Sequence, residues 1–504
     1  MNFKKLICAF TAAALMLGAA PAVNDTSPYF STAITAQAAK LSVPANIKAS
    51  VSKNKVTITW NKVSGADGYR VYKYDSSKKA FVRLKTISGT KTAVSGLSKG
   101  KHYFKIAAVE KVNGKYQAGT ASKNITVNIK TSTSSSTASS DKTTAASSAS
   151  ASASSAGKAN GSSVSIAKAM GNGWNLGNTM ESVASWLGGG AEATDYEKAW
   201  GQPITTEEMI QTVKNSGFDS VRVPVAWSNM MSKDGSYTIS ESYFDRVDEI
   251  VGYVLDNDMY CIINIHWDGG WWSDFGSSDE KVQAEAMKKY KAMWTQIAKH
   301  YSGYSDKLIF ESANEELGSA TKGNSTTAES YARVNEINQT FVDLVRSTGG
   351  NNKNRPLLIA GYDTDIAKTT NSLFKMPTDS AKGKLLVSVH YYSPSTFCIA
   401  DNESNSWGYK DSWGTEADVA AMKKDFEKLK KFTDAGYGVV IGEYGVAHKK
   451  TGSLYTAKKG TDLFFRNVVE LSEKYGFCPM LWDCSDWLNR RTCRFTENYL
   501  DDIF

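Results

Sequence analysis

The segment LLVSVHYY at positions 385–392 decides the fold. It begins as an unbroken run of strand length, apolar except for one serine, and it ends with the polar side chains of His390 and Tyr392. A short apolar run is typical of a strand that is buried on both faces of a parallel sheet. VVIGEYG at 439–445 repeats the pattern and carries Glu443 near its end. The two runs therefore predict buried strands whose last residues are available for chemistry.

Eight runs of this kind alternate with amphipathic stretches in the second part of the chain. In one such stretch, TTEEMIQTVKNSG at 205–217, Thr206 is placed to cap a helix and Gly217 to end it. Eight strand-helix repeats in about 340 residues predict an α/β fold, a (β/α)8 TIM barrel with insertions. An open, doubly wound sheet is the alternative, although GNGWNLGN at 171–178 contains no Gly-x-Gly-x-x-Gly turn. The predicted strands are GWNLGN at 173–178, SVRVPV at 220–225, CIINIH at 261–266, LIFESAN at 308–314, PLLIAG at 356–361, LLVSVHYY at 385–392, VVIGEYG at 439–445 and PMLWD at 479–483.

Polar side chains collect at the ends of these strands, where barrel enzymes place their chemistry. Glu315 follows the fourth strand and Glu443 lies on the seventh, so the two carboxyl groups should face each other across the barrel mouth. Glycoside hydrolysis needs this pair, with a carboxylic acid on one side of the sugar and a carboxylate on the other. Glu311 precedes Glu315 by four residues and should lie deeper, as an interior carboxylate. The other candidates at the strand ends are Arg222, His266, Asn314, His390, Tyr392 and Trp482.

Six motifs occur in the order that is known from glycoside hydrolase family five. Residues 163–504 therefore resemble the cellulase-type (β/α)8 enzymes of that family over essentially their whole length. The resemblance implies that Glu315 is the acid/base and Glu443 the nucleophile, and that configuration is retained. The motifs are GWNLGNTME, GFDSVRVPVAW, IINIHWDGGWW, IFESANEE, VSVHYYSP and VVIGEYG.

The same resemblance implies supporting roles for the remaining candidates. Arg222 would orient Glu443 and lower the pKa of its carboxyl group, so that the nucleophile stays ionised. Asn314 would bind the sugar 2-hydroxyl. The other side chains would surround the sugar, with His266 lining the −1 subsite, His390 beside the acid/base, Tyr392 beside the nucleophile and Trp482 as the platform.

Two features depart from the family pattern or extend it. The family usually has Asn-Glu-Pro after the fourth strand, whereas this chain places Glu316 directly after Glu315. A neighbouring anion would raise the pKa of the proton donor. Asp-Gly-Gly-Trp-Trp at 268–272 forms a glycine-containing loop, and Trp271 and Trp272 predict either a platform for a glucan chain or a packed loop tip.

Residues 1–38 have the pattern of a secretory signal. A short cationic start precedes the apolar run LICAFTAAALMLGAA at 6–20, and Ala-Gln-Ala follows at 36–38. No later apolar run of about 18 residues occurs, so we expect a secreted, extracellular protein without a membrane anchor. An odd number of cysteines follows the signal without Cys-x-x-Cys spacing, which predicts buried free thiols, or one bridge near the C-terminus. They are Cys261, Cys398, Cys478, Cys484 and Cys493.

Residues 41–130 show short strands of period two that are separated by turn residues, which is typical of a β-sandwich. Trp60 lies in an early strand as a core anchor, VPANIKA stands at 43–49, and Leu97 precedes Tyr103 at the spacing of a tyrosine corner. These features resemble a fibronectin type III domain. Residues 131–162 are a Ser/Thr/Ala-rich stretch that predicts a flexible linker.

The net charge of the chain also differs between the small module and the large one. Residues 39–130 carry 19 lysines and arginines against three acids, a net charge of +16, whereas residues 163–504 carry a net charge of −10. Because the positive charge is confined to the small module, it does not predict a nucleic-acid partner. It predicts either contact with an anionic cell-wall polymer or a spacer without a ligand.

The function that these features favour is that of a secreted retaining endo-β-1,4-glucanase, a cellulase that hydrolyses β-glucan. The alternatives are another β-glycanase, such as a xyloglucanase, mannanase or lichenase, or a non-catalytic polysaccharide-binding surface protein. The sequence contains no His-Glu-x-x-His, EF-hand or P-loop motif, so we expect neither a metal nor another cofactor. We expect a monomer with a polysaccharide substrate.

Overall fold

The computed structural model describes residues 41–52, 55–75, 80–87, 89–94, 97, 99–112, 115–129, 162–315 and 326–504. These residues form two compact units, one within 41–129 and one within 162–504. The predicted signal at 1–38, all but the last residue of the predicted linker, and Glu316 lie outside the described residues. Within the part that is described, no helix is both long and apolar enough to cross a membrane.

The N-terminal unit consists of two antiparallel sheets that share one core. The first sheet has the order β1-β2-β5, and the second has the order β4-β3-β6-β7, with β8 also paired to β6. Trp60, Val71 and Phe104 are buried between the sheets, as expected for a β-sandwich. The strands are β1 (Lys48–Ser52), β2 (Lys55–Thr59), β3 (Gly68–Asp75), β4 (Ala80–Ile87), β5 (Lys91–Val94), β6 (Gly100–Val112), β7 (Lys115–Ala118) and β8 (Ile125–Ile129).

The tyrosine that ties a loop to a strand in this unit is not the predicted one. The hydroxyl of Tyr69 accepts a hydrogen bond of 2.6 Å from the backbone N–H of Val63, six residues upstream. Tyr69 is buried against Trp60, with ring centroids 5.3 Å apart. Tyr103, which the spacing from Leu97 had indicated, lies on β6 at a position that faces away from the core.

The second unit contains eight parallel strands that close into a barrel. All eight predicted strands are present, and the closed order excludes the open-sheet alternative. The barrel strands are β9 (Gly173–Leu176), β10 (Ser220–Val223), β11 (Tyr260–Asn264), β12 (Leu308–Glu311), β13 (Leu357–Ala360), β14 (Leu385–Tyr391), β15 (Gly438–Tyr444) and β18 (Cys478–Asp483). Two hairpins follow barrel strands, β16 (Lys449–Thr451) with β17 (Leu454–Thr456) and β19 (Leu488–Asn489) with β20 (Arg494–Phe495).

Helices connect the barrel strands, and polar caps set their starts. Thr206 accepts a hydrogen bond from the N–H of Met209, and Gly217 adopts a φ of +91° just after the helix, as the sequence predicted. Thr415 and Asp418 form a reciprocal capping box. The helices are α1 (Ser163–Ala169), α2 (Ala193–Lys198), α3 (Glu207–Asn215), α4 (Glu241–Asp256), α5 (Glu280–His300), α6 (Ala328–Ser347), α7 (Ile366–Thr369), α8 (Ser395–Cys398), α9 (Glu416–Asp434) and α10 (Thr461–Tyr475).

The barrel interior changes from apolar to polar along the strands. Ile166 and Met170 of the α1 segment pack with the inward-facing Ile262, Ile309 and Leu386 near the amino ends of the strands. Residues two positions further along a strand face the same side. The next inward residues are polar, and they lie below the barrel mouth, where the candidate site forms.

The five cysteines of the barrel unit are all free, and three of them are buried. The structure thus agrees with the prediction of free thiols, and the alternative of a bridge near the C-terminus is wrong. Burial alone raises the pKa of the Cys261 thiol well above its ordinary value, so this side chain behaves as a small apolar residue.

Candidate active site

Arg222 on β10 is the centre of a buried hydrogen-bond network. Its Nε donates to Glu311 Oε2 at 2.7 Å, and its Nη1 donates to Glu443 Oε1 at 2.8 Å. Nη1 also donates to Asn175 Oδ1 at 3.0 Å, and Nη2 donates to Asn314 Oδ1 at 2.7 Å. Burial disfavours the guanidinium, but the charges of Glu311 and Glu443 outweigh this and raise the pKa of Arg222. Arg222 is fully buried, so it acts on a substrate only through its neighbours.

Glu311 is the interior carboxylate that the sequence predicted. It is fully buried, and both of its oxygens are bonded. Ser388 Oγ donates to Oε1 at 2.8 Å, while Asn264 Nδ2 donates to Oε2 at 2.9 Å in addition to the bond from Arg222. A buried carboxylate with this many donors is a structural anion, because its charge and its lone pairs are compensated.

A β-bulge brings Glu443 to the inner face of the barrel. Val389 pairs with Ile441, but the next pair is His390 with Glu443, so Gly442 is an extra residue on β15. In a regular ladder Glu443 would pair with Tyr391, whose side chain lies in the outer core. In the bulged ladder Tyr391 pairs with Tyr444 instead, and Tyr444 also lies in the outer core. The bulge therefore places His390 and Glu443 side by side.

The carboxyl group of Glu443 is held from three directions. Besides the bond from Arg222, Tyr392 Oη donates to Oε2 at 3.1 Å, and His390 Nδ1 lies 3.5 Å from the same oxygen. Burial raises the pKa of Glu443, and the interactions with His390 and Arg222 offset only part of this effect. The prediction that Arg222 lowers this pKa is right for its own contribution, but burial decides the direction.

Glu315 contacts the same ring nitrogen of His390. Its Oε1 is 3.0 Å from His390 Nδ1, and its side chain is 23% exposed. A carboxylate oxygen of Glu315, a ring nitrogen of His390 and a carboxylate oxygen of Glu443 all lie within 4.8 Å of one another. The three atoms could also hold a metal ion by their spacing, but two carboxyl groups at this separation are sufficient for acid-base and nucleophilic chemistry without one.

His266 and Trp482 lie on the rim with their rings parallel. The ring centroids are 6.0 Å apart at an interplanar angle of 9°. Burial, together with the charge of Arg222, lowers the pKa of His266 well below its ordinary value, so the imidazole is neutral. Asn264 Nδ2 lies 3.3 Å from His266 Nδ1; if it donates there, Nε2 carries the ring proton. Gly177 allows Trp482 to take its place, because a Cβ there would lie 2.9 Å from the indole.

Trp271 and Trp272 pack on each other in the loop after β11, in line with the packed loop tip that was one of the two alternatives for them. Trp272 is fully buried, and its Nε1 donates to the carbonyl of His266 at 2.9 Å. Trp271 stacks on Trp272 with centroids 4.6 Å apart, and the ammonium of Lys289 lies 4.5 Å from its ring centroid. With the stacked indole on one face and Lys289 against the ring, Trp271 offers no open platform. Trp272 instead supports the backbone of His266, while Trp271 Nε1 donates to Asp268 Oδ2 at 2.8 Å.

Three polar residues in the network were missed by sequence reasoning. Asn175, Asn264 and Ser388 are fully buried. Asn175 accepts a hydrogen bond from Arg222, and Asn264 and Ser388 donate to Glu311. Asn175 also donates through Nδ2 to the carbonyl of Gly442 at 2.9 Å, which holds the bulge. The available signal was a polar residue inside an apolar strand, since an unpaired polar group at such a position is costly.

This arrangement agrees with the comparisons with known proteins. The model of the cellulase family, glycosyl hydrolase family 5, matches residues 183–487, which is more than half of the chain. The chain belongs to glycosyl hydrolase family 5. It is therefore an enzyme, a glycoside hydrolase whose substrate is a polysaccharide.

Relatives within the family include several glucanases. Endoglucanase A of Paenibacillus barcinonensis is 34% identical over 346 residues, which cover 64% of this chain and 82% of that protein. A xyloglucan-specific endo-β-1,4-glucanase of Bacteroides ovatus is 34% identical over 334 residues, which cover 64% of this chain and 65% of the relative.

Solved structures of family members have the same barrel. A broad-specificity endoglucanase from an uncultured bovine rumen ciliate aligns with a TM-score of 0.59 at 33% identity, covering 68% of this chain and 96% of that one. A lichenase from Caldicellulosiruptor sp. F32 aligns with a TM-score of 0.61 at 31% identity, covering 68% of this chain and 94% of the other.

Proposed function

We propose that the barrel unit is an endo-β-1,4-glucanase that cleaves β-glucan by double displacement, with Glu443 as nucleophile and Glu315 as acid/base. In the first step Glu315 gives its proton to the glycosidic oxygen while Glu443 attacks the anomeric carbon, which breaks the C–O bond and forms a glycosyl ester. In the second step the Glu315 carboxylate takes a proton from water, whose oxygen attacks the same carbon and releases Glu443. Two inversions leave the configuration unchanged.

The observation that carries this proposal is the closeness of the two carboxyl groups. Oxygens of Glu315 and Glu443 lie within 4.8 Å of each other. Retaining enzymes have carboxyl groups about 5–5.5 Å apart, whereas inverting enzymes need roughly 6.5–9.5 Å to admit a water molecule. The separation therefore favours retention.

The surrounding side chains support the two steps. Arg222 donates to Oδ1 of Asn314 and so fixes the orientation of the amide, whose N–H group is the kind of donor that suits the sugar 2-hydroxyl. Tyr392 donates to the Glu443 carboxylate and stabilises its charge before attack. If its Nε2 carries the proton, neutral His266 offers an N–H donor at the −1 subsite, and the half-buried Trp482 beside it provides an aromatic surface for the sugar ring.

Azide rescue tests both assignments with a stereochemical readout. With an aryl β-cellobioside, Glu443→Ala should lose activity and then yield the α-glycosyl azide, because azide takes the place of the nucleophile. Glu315→Ala should yield the β-glycosyl azide, because azide attacks the intermediate from the side of the acid/base. Glu316→Gln is the matched control and should keep its activity. If Glu316→Gln is inactive while Glu315→Ala retains turnover, the acid/base has been assigned to the wrong glutamate.

The linkage is tested on a panel of purified polymers. The names of the relatives include endoglucanase, lichenase and xyloglucan-specific enzymes, and these mark the alternatives for this chain. We expect the highest kcat/KM on a soluble β-1,4-glucan such as carboxymethyl-cellulose, and lower values on xyloglucan, lichenan and mannan. A purely polysaccharide-binding role would give retention in affinity gels without any new reducing ends, and the paired carboxyl groups argue against it.

For the remainder of the chain we propose an exported modular enzyme. Residues 1–38 would be the signal peptide, 41–130 a fibronectin type III domain, 131–162 the linker and 163–504 the catalytic domain, acting as a monomer. The net charge of +16 on 39–130 would hold the enzyme on anionic cell-wall polymers. Retention on isolated walls should then fall steeply between about 50 and 500 mM salt, and retention that is independent of salt would contradict the wall contact.

A further inference from the structure

The outer face of the larger sheet in the N-terminal unit is aromatic where a solvent-facing sheet is usually polar. On β3, Tyr69 and Val71 point into the core, so Tyr72 and Tyr74 point away from it. On β6, Phe104 and Ile106 point inward, so Tyr103 and Lys105 point outward. We call the outward set Tyr72, Tyr74, Phe81, Tyr103 and Lys105 the aromatic face.

Four members of the aromatic face, Tyr74, Phe81, Tyr103 and Lys105, contact one another across three adjacent strands. Tyr74 pairs with Phe81 on β4, and their ring centroids are 5.4 Å apart. The centroid of Tyr103 lies 6.3 Å from that of Tyr74 on the other side. Tyr74 is 37% exposed, and both of its ring contacts are edge-on. Large contiguous apolar patches on the surface of a soluble protein mark interaction sites or ligand-binding grooves.

Positive charge accompanies the rings. The ammonium of Lys105 lies 4.5 Å from the ring centroid of Phe81, and the exposed Lys101 lies one outward position before Tyr103 on β6. The segment 39–130 contains only three acids in all, so few negative side chains are present to compete for these cations. The surface therefore combines rings that can pack on apolar C–H groups with cations that can pair with carboxylates.

We propose that the aromatic face binds an acidic polysaccharide, a polymer of uronic acids. Each uronic acid unit presents an apolar C–H face for Tyr74 and Tyr103 and a carboxylate for Lys105 and Lys101. A neutral glucan would not use the lysines, and a polyanion without sugar rings would not use the tyrosines. This proposal deepens the wall contact suggested above by naming the surface and the polymer, and it is independent of hydrolysis by the barrel.

Binding is measured on the full chain carrying Glu443→Gln, by titration with polygalacturonate and by retention on the immobilised polymer. Tyr74→Ala should weaken binding by at least about tenfold, which is the size of effect that a central aromatic contact has. Tyr74→Phe should keep most of the affinity, because the ring remains. Lys105→Ala should weaken binding about fivefold, while Lys48→Ala should change it less than about twofold, since Lys48 carries the same charge on the other sheet.

Three further outcomes would overturn the proposal. Equal binding of polyglutamate, with Tyr74→Ala indistinguishable from the parent, would show that charge alone is responsible. Equal binding of fully methyl-esterified polygalacturonate or of a neutral β-glucan would show that the carboxylates are not recognised. Equal losses for Lys105→Ala and Lys48→Ala would show that no defined surface is involved. None of these results depends on whether Glu315 and Glu443 perform the proposed chemistry.

Discussion

Gly442 should be required for activity although it carries no functional group. It is the extra residue of the β15 bulge, and a Cβ at this position would lie 2.8 Å from Ser388 Oγ and 3.1 Å from His390 Nε2. We expect Gly442→Ala to displace His390 from the two glutamates that it contacts. Nε2 of His390 is buried and has no hydrogen-bond partner among the described residues, so no hydrogen bond at this nitrogen opposes the push.

The size of the effect follows from these distances. Ordinary contacts of a carbon begin near 3.5 Å, so the imidazole and the serine must retreat by several tenths of an ångström. Catalytic groups need to stay within about 0.5 Å of their productive positions, and a displacement of 1 Å can cost about a hundredfold. We expect kcat to fall between about tenfold and a hundredfold, with a stability loss of about 1–3 kcal/mol from overpacking.

The assay compares two alanine substitutions at the same end of the strand. Gly445 has its nearest atoms at 3.6 Å, so Gly445→Ala adds a methyl group without a clash and serves as the matched control. Initial rates on an aryl cellobioside and on soluble glucan give kcat and KM, and thermal unfolding reports the stability of each variant. The double variant Gly442→Ala/Ser388→Ala removes the atom that lies closest to the new methyl group. Adding Gly442→Ala to Ser388→Ala should therefore lower kcat less than adding it to the parent does. A Gly442→Ala enzyme with kcat within twofold of the parent would refute the role that we assign to the bulge.

Three other substitutions test separate parts of the structure. Tyr392→Phe removes a donor to ionised Glu443, so the pKa of Glu443 should rise and the acid limb of the kcat/KM profile should move to higher pH; an unmoved limb in a pH-rate profile would contradict the contact. Trp186 is 66% exposed on the loop after β9, at the catalytic end of the barrel, so Trp186→Ala should raise KM on long glucans several-fold while KM on an aryl cellobioside and the melting temperature stay constant. Burial raises the pKa of Glu181 to about 7, partly offset by backbone N–H donors and Arg490, so its native carboxyl binds a proton more tightly than the unfolded chain does. Its contribution to stability is therefore present at low pH and is lost as the pH rises from about 4.5 to about 7. Between pH 4 and pH 8 the free energy of unfolding of Glu181→Gln, measured by heat or urea relative to the parent, should therefore increase by up to about 3 kcal/mol. A difference that stays constant with pH would argue against the buried acid.

The strands could be predicted from the sequence because parallel barrel strands are buried on both sides. Runs such as CIINIH and LLVSVHYY stand out as apolar segments, and all eight correspond to observed strands. The carboxyl ends of such strands meet at one rim, so the grouping of His390, Glu315 and Glu443 followed from topology. The signal at 1–38, the linker at 131–162 and the role of Glu316 remain predictions, because they lie almost entirely outside the described residues.

The parts that could not be predicted depend on local register and on packing depth. The bulge at Gly442 moves Glu443 to the inner face of the barrel. The period-two pattern of a strand carries no information about such an inserted residue. For Trp272 the sequence left both a sugar platform and a packed loop tip open, because the identity of a residue does not show whether its side chain faces solvent or the core. The structure shows that Trp272 is fully buried. Asn264 and Ser388 are short polar residues inside apolar runs, and they gain meaning only when Glu311 is known to lie between them.

The buried network explains how a nucleophile can lie beside an arginine and remain reactive. If Arg222 paired with Glu443 alone, its full charge would stabilise the carboxylate and make it a poor nucleophile. Instead its Nε is bonded to Glu311, and Glu443 receives one Nη1 bond that it shares with Asn175. Glu311 is in turn held by Asn264 and Ser388, so the arginine cannot turn fully toward Glu443. The interior carboxylate thus acts as a competitor for the cation, which leaves burial free to raise the pKa of Glu443 and keep its oxygen basic enough to attack.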